Sequence, residues 1–134
     1  MPLLFLPPWI NKYYILDLSE KNSFVKYLVE QGFTVFMTSW KNPDSSMDEI
    51  EFEDYMTQGP LAAAQVVREI TGSEKLNPVG YCVGGTLLAV TEAWLAASEA
   101  GDESPFGAST FMVALQDFTD VGDTEVFMLS LIHI

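Results

Sequence analysis

The amino-acid sequence predicts an α/β fold in which crossover helices join the strands of a mostly parallel sheet. Four short apolar runs alternate with three longer segments of helical periodicity, and this alternation is typical of parallel strands connected by helices. A glycine-rich turn, GYCVGG at residues 80–85, stands between the third run and the helical segment that follows it. The chain of 134 residues, 49% of them apolar, is about one small domain with enough apolar material for a core.

The first half of the chain predicts a strand, a helix and a second strand. Residues 3–6 form the expected first strand, which Pro7 and Pro8 end because a proline cannot donate a ladder hydrogen bond. A helix is predicted over about residues 22–31, with a C-terminal stop at Gly32. Its apolar face is expected at Phe24, Val25, Leu28 and Val29. The stretch FTVFMTSW, residues 33–40, is rich in β-branched and aromatic types and predicts a strand buried on both faces.

A long helical segment and a short strand come next. The helical segment covers about residues 52–71, where Pro60 is expected to open the main helix at its first turn and Gly72 to end it. Its packed stripe is predicted at Leu61, Ala64, Val67 and Ile70. The strand, residues 76–81, contains Pro78, which removes a ladder donor and is more typical of an edge strand.

The cysteine turn leads into the last helix and the last strand. The helix is predicted over about residues 83–100, and the strand over residues 108–115. The helical side chains expected to be mostly buried are Leu87, Leu88, Val90, Trp94 and Leu95.

Charge and cysteine content exclude several classes of function. Lys and Arg total 6 against 19 Asp and Glu, a net charge of -13, so no basic stripe is available for nucleic acid or an anionic membrane. One cysteine excludes an internal disulfide framework and is compatible with a reducing, cytoplasmic location. With one histidine, the sequence points to no metal site and no cofactor. The apolar start MPLLFLPPWI lacks the features of a signal peptide and is too short to span a membrane.

The turn at residues 80–85 is typical of a nucleophile held between a strand and a helix. In the pattern G-x-C-x-G, Gly80 and Gly84 remove Cβ atoms that would clash with neighbouring backbone, and Gly85 adds room for close packing. Cys82 would lie above the first helical turn, whose N–H groups favour a thiolate and can hold an oxyanion. The alternative is that Cys82 is a buried filler without a chemical role, as lone cysteines usually are.

A cysteine nucleophile needs an acid and a base, which follow it along the chain in this architecture. The sole histidine, His133, lies at the end of the sequence with too little chain before it for the necessary strands and loops, so a terminal residue without a role is the favoured interpretation. Asp117, Asp120 and Asp123 follow the last strand. One of them could orient a base, although a solvated acidic loop is the commoner explanation. The catalytic set is therefore incomplete in these 134 residues.

Five stretches make the sequence resemble polyhydroxyalkanoate synthases, most closely the single-subunit class I enzymes. They are PPWINKYYILDL (7–18), VEQGFTVFMTSWKNPD (29–44), FEDYMTQGPLAA (52–63), GYCVGGTLLA (80–89) and DFTDVGDTEVF (117–127). The resemblance implies a partial α/β-hydrolase fold whose nucleophile elbow is at Cys82, with the Asp and His of the family's triad lying beyond this chain. It further implies that residues 1–127 are the N-terminal part of the catalytic core. Residues 128–134 depart from the pattern and are interpreted as a non-native tail.

The activity implied by the resemblance is an acyl transfer that polymerises (R)-3-hydroxyacyl-CoA into a polyester, releases CoA and needs no cofactor. A cysteine suits this reaction because exchange of one thioester for another keeps the acyl group activated. The implied setting is the cytoplasm, at the surface of polymer granules, with a homodimer as the candidate assembly of the full-length enzyme. The 134 residues alone are expected to be inactive, because acid and base are missing and apolar surface of the sheet stays uncovered.

The remaining site residues follow from the turn and the loop after the first strand. The backbone N–H of Val83 is the natural first oxyanion donor, and a second is expected from Trp9 or Ile10. Trp9, Tyr13 and Tyr14 are candidates for the acyl or product channel; ordinary aromatic packing is the alternative. Two other functions remain open: a cysteine hydrolase or polyester depolymerase of the same fold, and an inactive truncated chain that at most binds granules or a partner.

Overall fold

A parallel four-stranded sheet organises the computed structural model, which describes residues 1–98, 104–119 and 122. In chain order the strands and α-helices are β1 Pro2–Leu6, β2 Asp17–Ser19, β3 Asn22–Ser23, α1 Phe24–Glu30, β4 Thr34–Met37, α2 Phe52–Met56, α3 Ala62–Thr71, β5 Asn77–Tyr81, α4 Val83–Ala97 and β6 Thr110–Met112. The sheet order is β4-β1-β5-β6, and every pairing in it is parallel. The short strands β2 and β3 form a separate antiparallel pair. The predicted α/β class with a mostly parallel sheet is thus confirmed.

The core lies on both faces of β1, whose five residues are all buried. Successive side chains of a strand point to opposite faces, so β1 contributes to two apolar clusters. Leu4 and Leu6 belong to the larger cluster, with residues of α3, of α4 and of the segments next to β5 and β6. Leu3 and Phe5 lie on the opposite face, where Leu28 of α1 packs against them. Because β1 is buried on both faces and paired with β5, its carboxyl end is fixed beside the carboxyl end of β5.

Helix α1 begins and ends at sequence signals. The side chain of Ser23 accepts a hydrogen bond from the backbone N–H of Lys26 at 2.7 Å. Gly32 has φ of 88° and follows the helix as a left-handed stop, as predicted. The apolar face is narrower than expected. Leu28 packs against the cluster, and the ring of Phe24, although partly exposed, lies edge-on to that of Phe5 with their centroids 6.0 Å apart. The prediction was wrong for Val29, which is exposed.

Strand β4 is shorter and more exposed than predicted. It covers Thr34–Met37 within the predicted residues 33–40, with Thr34 exposed and the other three residues half-buried. Among the described residues β4 pairs only with β1, so its other edge is open. Phe36 packs against one apolar cluster and Val35 and Met37 against the other, so both faces of β4 are covered as expected, although only partly.

Pro60 does not open a helix, contrary to the prediction. It lies in a π-helical turn, Thr57–Leu61, that joins α2 and α3 into one helical run. A wider turn accommodates a residue that has no N–H to donate, and the ring of Pro60 is fully buried there. Gly72, with φ of 67°, ends α3 as predicted. Ile70 is exposed and was wrongly placed in the stripe, because it lies roughly 90° around the helix from the face of Ala64 and Val67.

Pro78 lies in an interior strand, not at an edge. In a strand, the backbone N–H groups of every second residue point to the same adjacent strand. The N–H groups of Leu76 and Cys82 donate to Pro105 and Met112, on the side of β6. The missing donor of Pro78 therefore faces that side too. The pairing on that side is irregular next to Pro78, where the side-chain Oδ1 of Asn77 accepts a hydrogen bond at 3.0 Å from the N–H of Ala108.

The last helix and strand are shorter than predicted. Helix α4 ends at Ala97, and its Val90 and Trp94 are exposed, so the expectation that they are buried was wrong. One face of α4 packs on the sheet, and no described element covers the other. Strand β6 covers three residues and ends at Met112, because the next residue, Val113, has a φ of 53° that breaks the extended backbone.

Several expectations fall on residues that the structure leaves out. They concern the last residues of the helix predicted to reach 100, Asp120, Asp123, His133 and the tail 128–134, all of which lie outside the described residues. Within the described part, no helix has the length and apolarity needed to cross a membrane.

Candidate active site at the cysteine turn

Cys82 lies between the end of β5 and the start of α4, in a backbone conformation rare for a residue with a side chain. Its φ is 54° and its ψ is -127°. Such a conformation costs of order 1–3 kcal/mol and persists only where neighbouring structure enforces it. The N–H of Cys82 donates to the carbonyl of Met112 at 2.9 Å, and its own carbonyl accepts from Gly85 at 2.9 Å. Cys82 is only partly buried.

The three glycines of the turn are each required by a close approach. A Cβ on Gly80 would overlap the backbone of Gly85, and a Cβ on Gly85 would overlap the side chain of Ala114. A Cβ on Gly84 would overlap the carbonyl of Leu6 at the end of β1. The turn is therefore as cramped as the sequence pattern predicts.

Two segments next to the turn carry backbone N–H groups, namely the start of α4 and the loop after β1. The first N–H groups of a helix have no acceptor within the helix, and among the described residues no side chain caps α4. Val83 and Gly84 supply these N–H groups. On the other side, the carbonyl carbon of Pro7 lies 3.0 Å from the Cβ position of Gly84, so the loop after β1 abuts the turn. Because Pro7 and Pro8 have no N–H, the first donors of that loop are Trp9 and Ile10.

An aromatic cluster surrounds Trp9 at the same edge of the sheet. The ring of Trp9 lies 4.5 Å from that of Tyr55, 5.8 Å from that of Trp40 and 6.0 Å from that of Phe52, centroid to centroid. Trp9 follows β1, Trp40 follows β4, and the other two rings come from α2. These distances are typical of edge-to-face and offset aromatic pairs.

Comparison with known proteins identifies the family. A model of the poly-beta-hydroxybutyrate polymerase (PhaC) N-terminus matches residues 1–28. The poly(3-hydroxyalkanoate) polymerase subunit PhaC of Cupriavidus necator is 46% identical over 127 residues, which are 95% of this chain and 21% of that protein. The PhaC subunit of Rhizobium meliloti is 47% identical over 127 residues (95% and 20%), and the polymerase of Methylorubrum extorquens is 46% identical over 126 residues (94% and 20%).

This chain belongs to the poly(3-hydroxyalkanoate) polymerase family. The resemblance stated from the sequence is thereby confirmed. The chain spans about a fifth of the length of the curated polymerases it matches.

The structure brings only some of the sequence-predicted site residues to the cysteine turn. Cys82 and Val83 lie together at the turn, and Trp9 belongs to the aromatic cluster beside it. Ile10 is 37% exposed on the loop that abuts the turn. Tyr13 and Tyr14 lie in a short 3-10 helix, both exposed, with their rings 5.5 Å apart. Their role in a channel stays a prediction.

A cavity of about 480 Å³ opens beside Trp9 and Tyr55. Asp44 and Asp48 contribute carboxylates to its lining. The side-chain hydrogen bond from Lys41, followed by that from Ser46, holds the pKa of Asp44 well below its usual range. Asp44 is therefore an anion engaged in the loop after β4, and the cavity is apolar on one side and acidic on the other.

The loop after β6 carries one of the acids considered from the sequence. Asp117 accepts hydrogen bonds from the N–H of Thr119 at 2.9 Å and from its hydroxyl at 2.6 Å, which lower the pKa of Asp117. The hydroxyl of Thr86, in the first turns of α4, donates to the carbonyl of Leu115 at 2.7 Å and ties this loop to the helix.

Sequence reasoning missed Trp40, Phe52 and Tyr55 as neighbours of the site. A signal for Trp40 was present, because it ends the predicted strand 33–40, and parallel strands bring their carboxyl ends to one edge. The two α2 rings had no such signal, since the π turn that orients this helical run was not predicted.

Proposed function

We propose that this chain carries the nucleophile elbow of an α/β-hydrolase-fold acyltransferase that polymerises (R)-3-hydroxyacyl-CoA into polyhydroxyalkanoate. The observation that carries the proposal is the position of Cys82, held at φ of 54° between β5 and α4 in a chain of the polymerase family. The order β4-β1-β5-β6, with the turn following β5, supports the fold assignment because such sheets place their sites at the carboxyl ends of the strands.

In the proposed first step, the thiolate of Cys82 attacks the thioester carbonyl of the acyl-CoA. The bond between that carbonyl carbon and the CoA sulfur breaks, CoA leaves as a thiol after gaining a proton, and the acyl group is held as a thioester on Cys82. In the second step, the hydroxyl of another 3-hydroxyacyl unit loses its proton and attacks this thioester, so an ester bond forms and the thiol is restored. The first exchange loses little free energy, which leaves the acyl group reactive toward the hydroxyl.

The tetrahedral intermediate of each step carries a negative oxygen that needs hydrogen-bond donors. We assign the N–H of Val83 as the first donor and the N–H of Ile10 as the second, with Trp9 as the other candidate on that loop. Two facts support this assignment: Val83 is the first residue of α4, and the Pro7 backbone abuts Gly84. One such donor is worth about 10²–10³ in rate in well-studied acyl-transfer sites.

The acid and base that activate the thiol and the attacking hydroxyl are assigned to parts of the polymerase outside this chain. The 134 residues alone are accordingly proposed to be inactive. The product is an apolar polyester, so we place the working enzyme at the surface of a polymer granule in the cytoplasm, with a homodimer as the proposed assembly.

The proposal is tested in a full-length polymerase that carries this segment, incubated with (R)-3-hydroxybutyryl-CoA. The parent is expected to release one CoA for each monomer incorporated into polymer. In Cys82→Ala, the rates of CoA release and of polymer formation are both expected to fall by roughly 10³-fold or more, because the covalent route is gone. The matched control is Val90→Ala, on the exposed face of α4, which should keep the parental rate.

Three other results would contradict the proposal. Free 3-hydroxybutyrate without polymer would identify a hydrolase or depolymerase. Polymer formation by Cys82→Ala would exclude the cysteine as the nucleophile. Absence of a mass increase on the peptide containing Cys82, after a rapid quench with substrate, would favour a chain without a catalytic role.

A further inference from the structure

We infer that Trp40 is a positioning residue. By holding the carbonyl of Pro7, it fixes the loop that carries the second oxyanion donor, the N–H of Ile10. The inference rests on the proposed function, because an oxyanion forms only if Cys82 attacks a carbonyl. The hydrogen bond of the Trp40 indole goes to the loop after β1 and not to the cysteine turn itself. Its effect is exerted through the loop that connects β1 to Ile10.

The first step is the contact between that loop and the turn. Gly84 is buried, and a Cβ there would overlap the carbonyl oxygen of Leu6 and lie 3.0 Å from the carbonyl carbon of Pro7. Leu6 is itself paired with Gly80 in the sheet. The loop therefore starts in van der Waals contact with the residue that follows Val83, and its next residues have little distance to cover to the Cys82 side chain.

The second step is the hydrogen bond that fixes this loop. The indole Nε1 of Trp40 donates to the carbonyl of Pro7 at 2.7 Å. This hydrogen bond ties the start of the loop after β1 to the residue that follows the end of β4 by three positions. Pro7 and Pro8 cannot donate hydrogen bonds, so only their carbonyls can anchor the backbone just before the donors at Trp9 and Ile10, and the carbonyl of Pro7 is bonded to Trp40.

The third step is the immobilisation of the Trp40 ring. A Cβ on Gly59 would overlap its six-membered ring, so the indole lies directly on the backbone of the π turn. The ring of Tyr55 lies 5.5 Å away and that of Trp9 5.8 Å away, centroid to centroid. Trp40 thus connects the end of β4, the π turn and the loop after β1. Trp9, the residue directly before Ile10, packs against the rings of Tyr55 and Trp40.

Such anchoring matters for the rate because oxyanion donors act only at short range. They need to lie about 2.7–3.1 Å from the position that the oxyanion occupies. A displacement of about 1 Å can slow a reaction by 10²-fold. Loss of the Trp40–Pro7 bond should therefore slow acyl transfer by about 10- to 100-fold while leaving the cysteine itself reactive.

The test uses Trp40→Phe in the full-length polymerase carrying this segment, which keeps an aromatic ring and removes the indole N–H. Two rates are measured per Cys82: transfer of the acyl group from (R)-3-hydroxybutyryl-CoA, and alkylation by iodoacetamide. Alkylation displaces iodide at a saturated carbon and forms no oxyanion. We expect kcat to fall 10- to 100-fold with KM within about threefold, and alkylation to stay within twofold of the parent. Trp94→Phe, on the exposed face of α4, is the matched control and should change neither rate.

A second variant approaches the same contact from the other side. Gly59→Ala keeps the indole N–H and pushes the ring away from the π turn, so it should reproduce the split between the two rates. An acyl-transfer rate within twofold of the parent in both variants would overturn the inference. So would a parallel loss of alkylation, which would show that Trp40 supports the fold of the whole turn. Neither result touches the proposed function, which is tested separately by the activity of Cys82→Ala, by the product formed and by the acyl adduct on the Cys82 peptide.

Discussion

Gly84→Ala is the substitution that most directly probes the contact between the cysteine turn and the end of β1. The added Cβ would overlap the carbonyl oxygen of Leu6, with the carbon of that carbonyl at 2.8 Å and the carbonyl carbon of Pro7 at 3.0 Å. All three are backbone atoms. A flexible side chain could rotate away from an added methyl group, but these atoms cannot, since Leu6 is paired with Gly80 in the sheet.

The expected loss of stability follows from two opposing effects. Overpacking a filled site costs typically 1–3 kcal/mol, and a clash with fixed backbone falls at the upper end, about 3 kcal/mol. Alanine in place of glycine within a helix gains back about 1 kcal/mol of helix propensity. We therefore expect Gly84→Ala to lower the free energy of unfolding by about 2 kcal/mol.

The assay is urea unfolding of the 134-residue chain, followed by the fluorescence of its three tryptophans. Gly72 provides the control, because nothing lies within 4 Å of its Cβ position and its φ is 67°. Asparagine tolerates that conformation, so Gly72→Asn should cost less than Gly72→Ala. At Gly84 the order should reverse, with Gly84→Asn worse than Gly84→Ala. A Gly84→Ala chain as stable as the parent would refute the close approach on which the turn geometry depends.

Three further changes test other parts of the fold. Ser23→Ala removes the side-chain acceptor for the N–H at the start of α1 and should lower the free energy of unfolding by about 1 kcal/mol in the same urea assay; an unchanged value would mean that the cap is not used. Leu87→Ala empties a fully buried position and should cost about 2–5 kcal/mol, whereas Val90→Ala, on the exposed face of the same helix, should stay near the parent. The carboxyl of Asp44 should titrate well below the ordinary Asp range by NMR, so its stabilising bonds persist at neutral pH and are lost as the pH falls through its folded pKa; Lys41→Gln should move that midpoint upward, and a midpoint unaffected by this change would contradict the assigned cause.

The elements that the sequence predicted well are those fixed by local chemistry. Gly32 and Gly72 mark helix ends through backbone conformations that any other residue adopts with strain, and both positions were read correctly. Pro60 and Pro78 were read less well, because their local preferences are overridden by a π turn and by an irregular partner segment. Ile70 was misplaced for a related reason: the stripe assumed a helix that begins at Pro60, whereas the packed face is set by the whole run from α2 through the π turn to α3.

The candidate site likewise has a part that the local sequence predicts and a part that depends on the tertiary structure. Its centre, Cys82 flanked by Gly80 and Gly84, was predictable because the constraint acts over five consecutive residues. The contact of Trp40 with Pro7 joins residues 33 positions apart, and nothing in either segment alone indicates it. Only the register of β1 between β4 and β5 brings the two together.

The strain at Cys82 itself makes one final prediction, which separates stability from chemistry. At φ of 54° a Cβ is disfavoured, and the backbone there costs about 1–3 kcal/mol, so glycine is the residue that suits the conformation. Glycine also loses about 0.5–1 kcal/mol through its greater freedom in the unfolded chain. Cys82→Gly should therefore be more stable than Cys82→Ala by about 1 kcal/mol in urea unfolding, although neither has a thiol. Equal stabilities, or a more stable alanine variant, would show that the turn relaxes and holds no strain. The expected order would show that this position keeps a cysteine against the preference of its backbone, which is the physical argument for its chemical role.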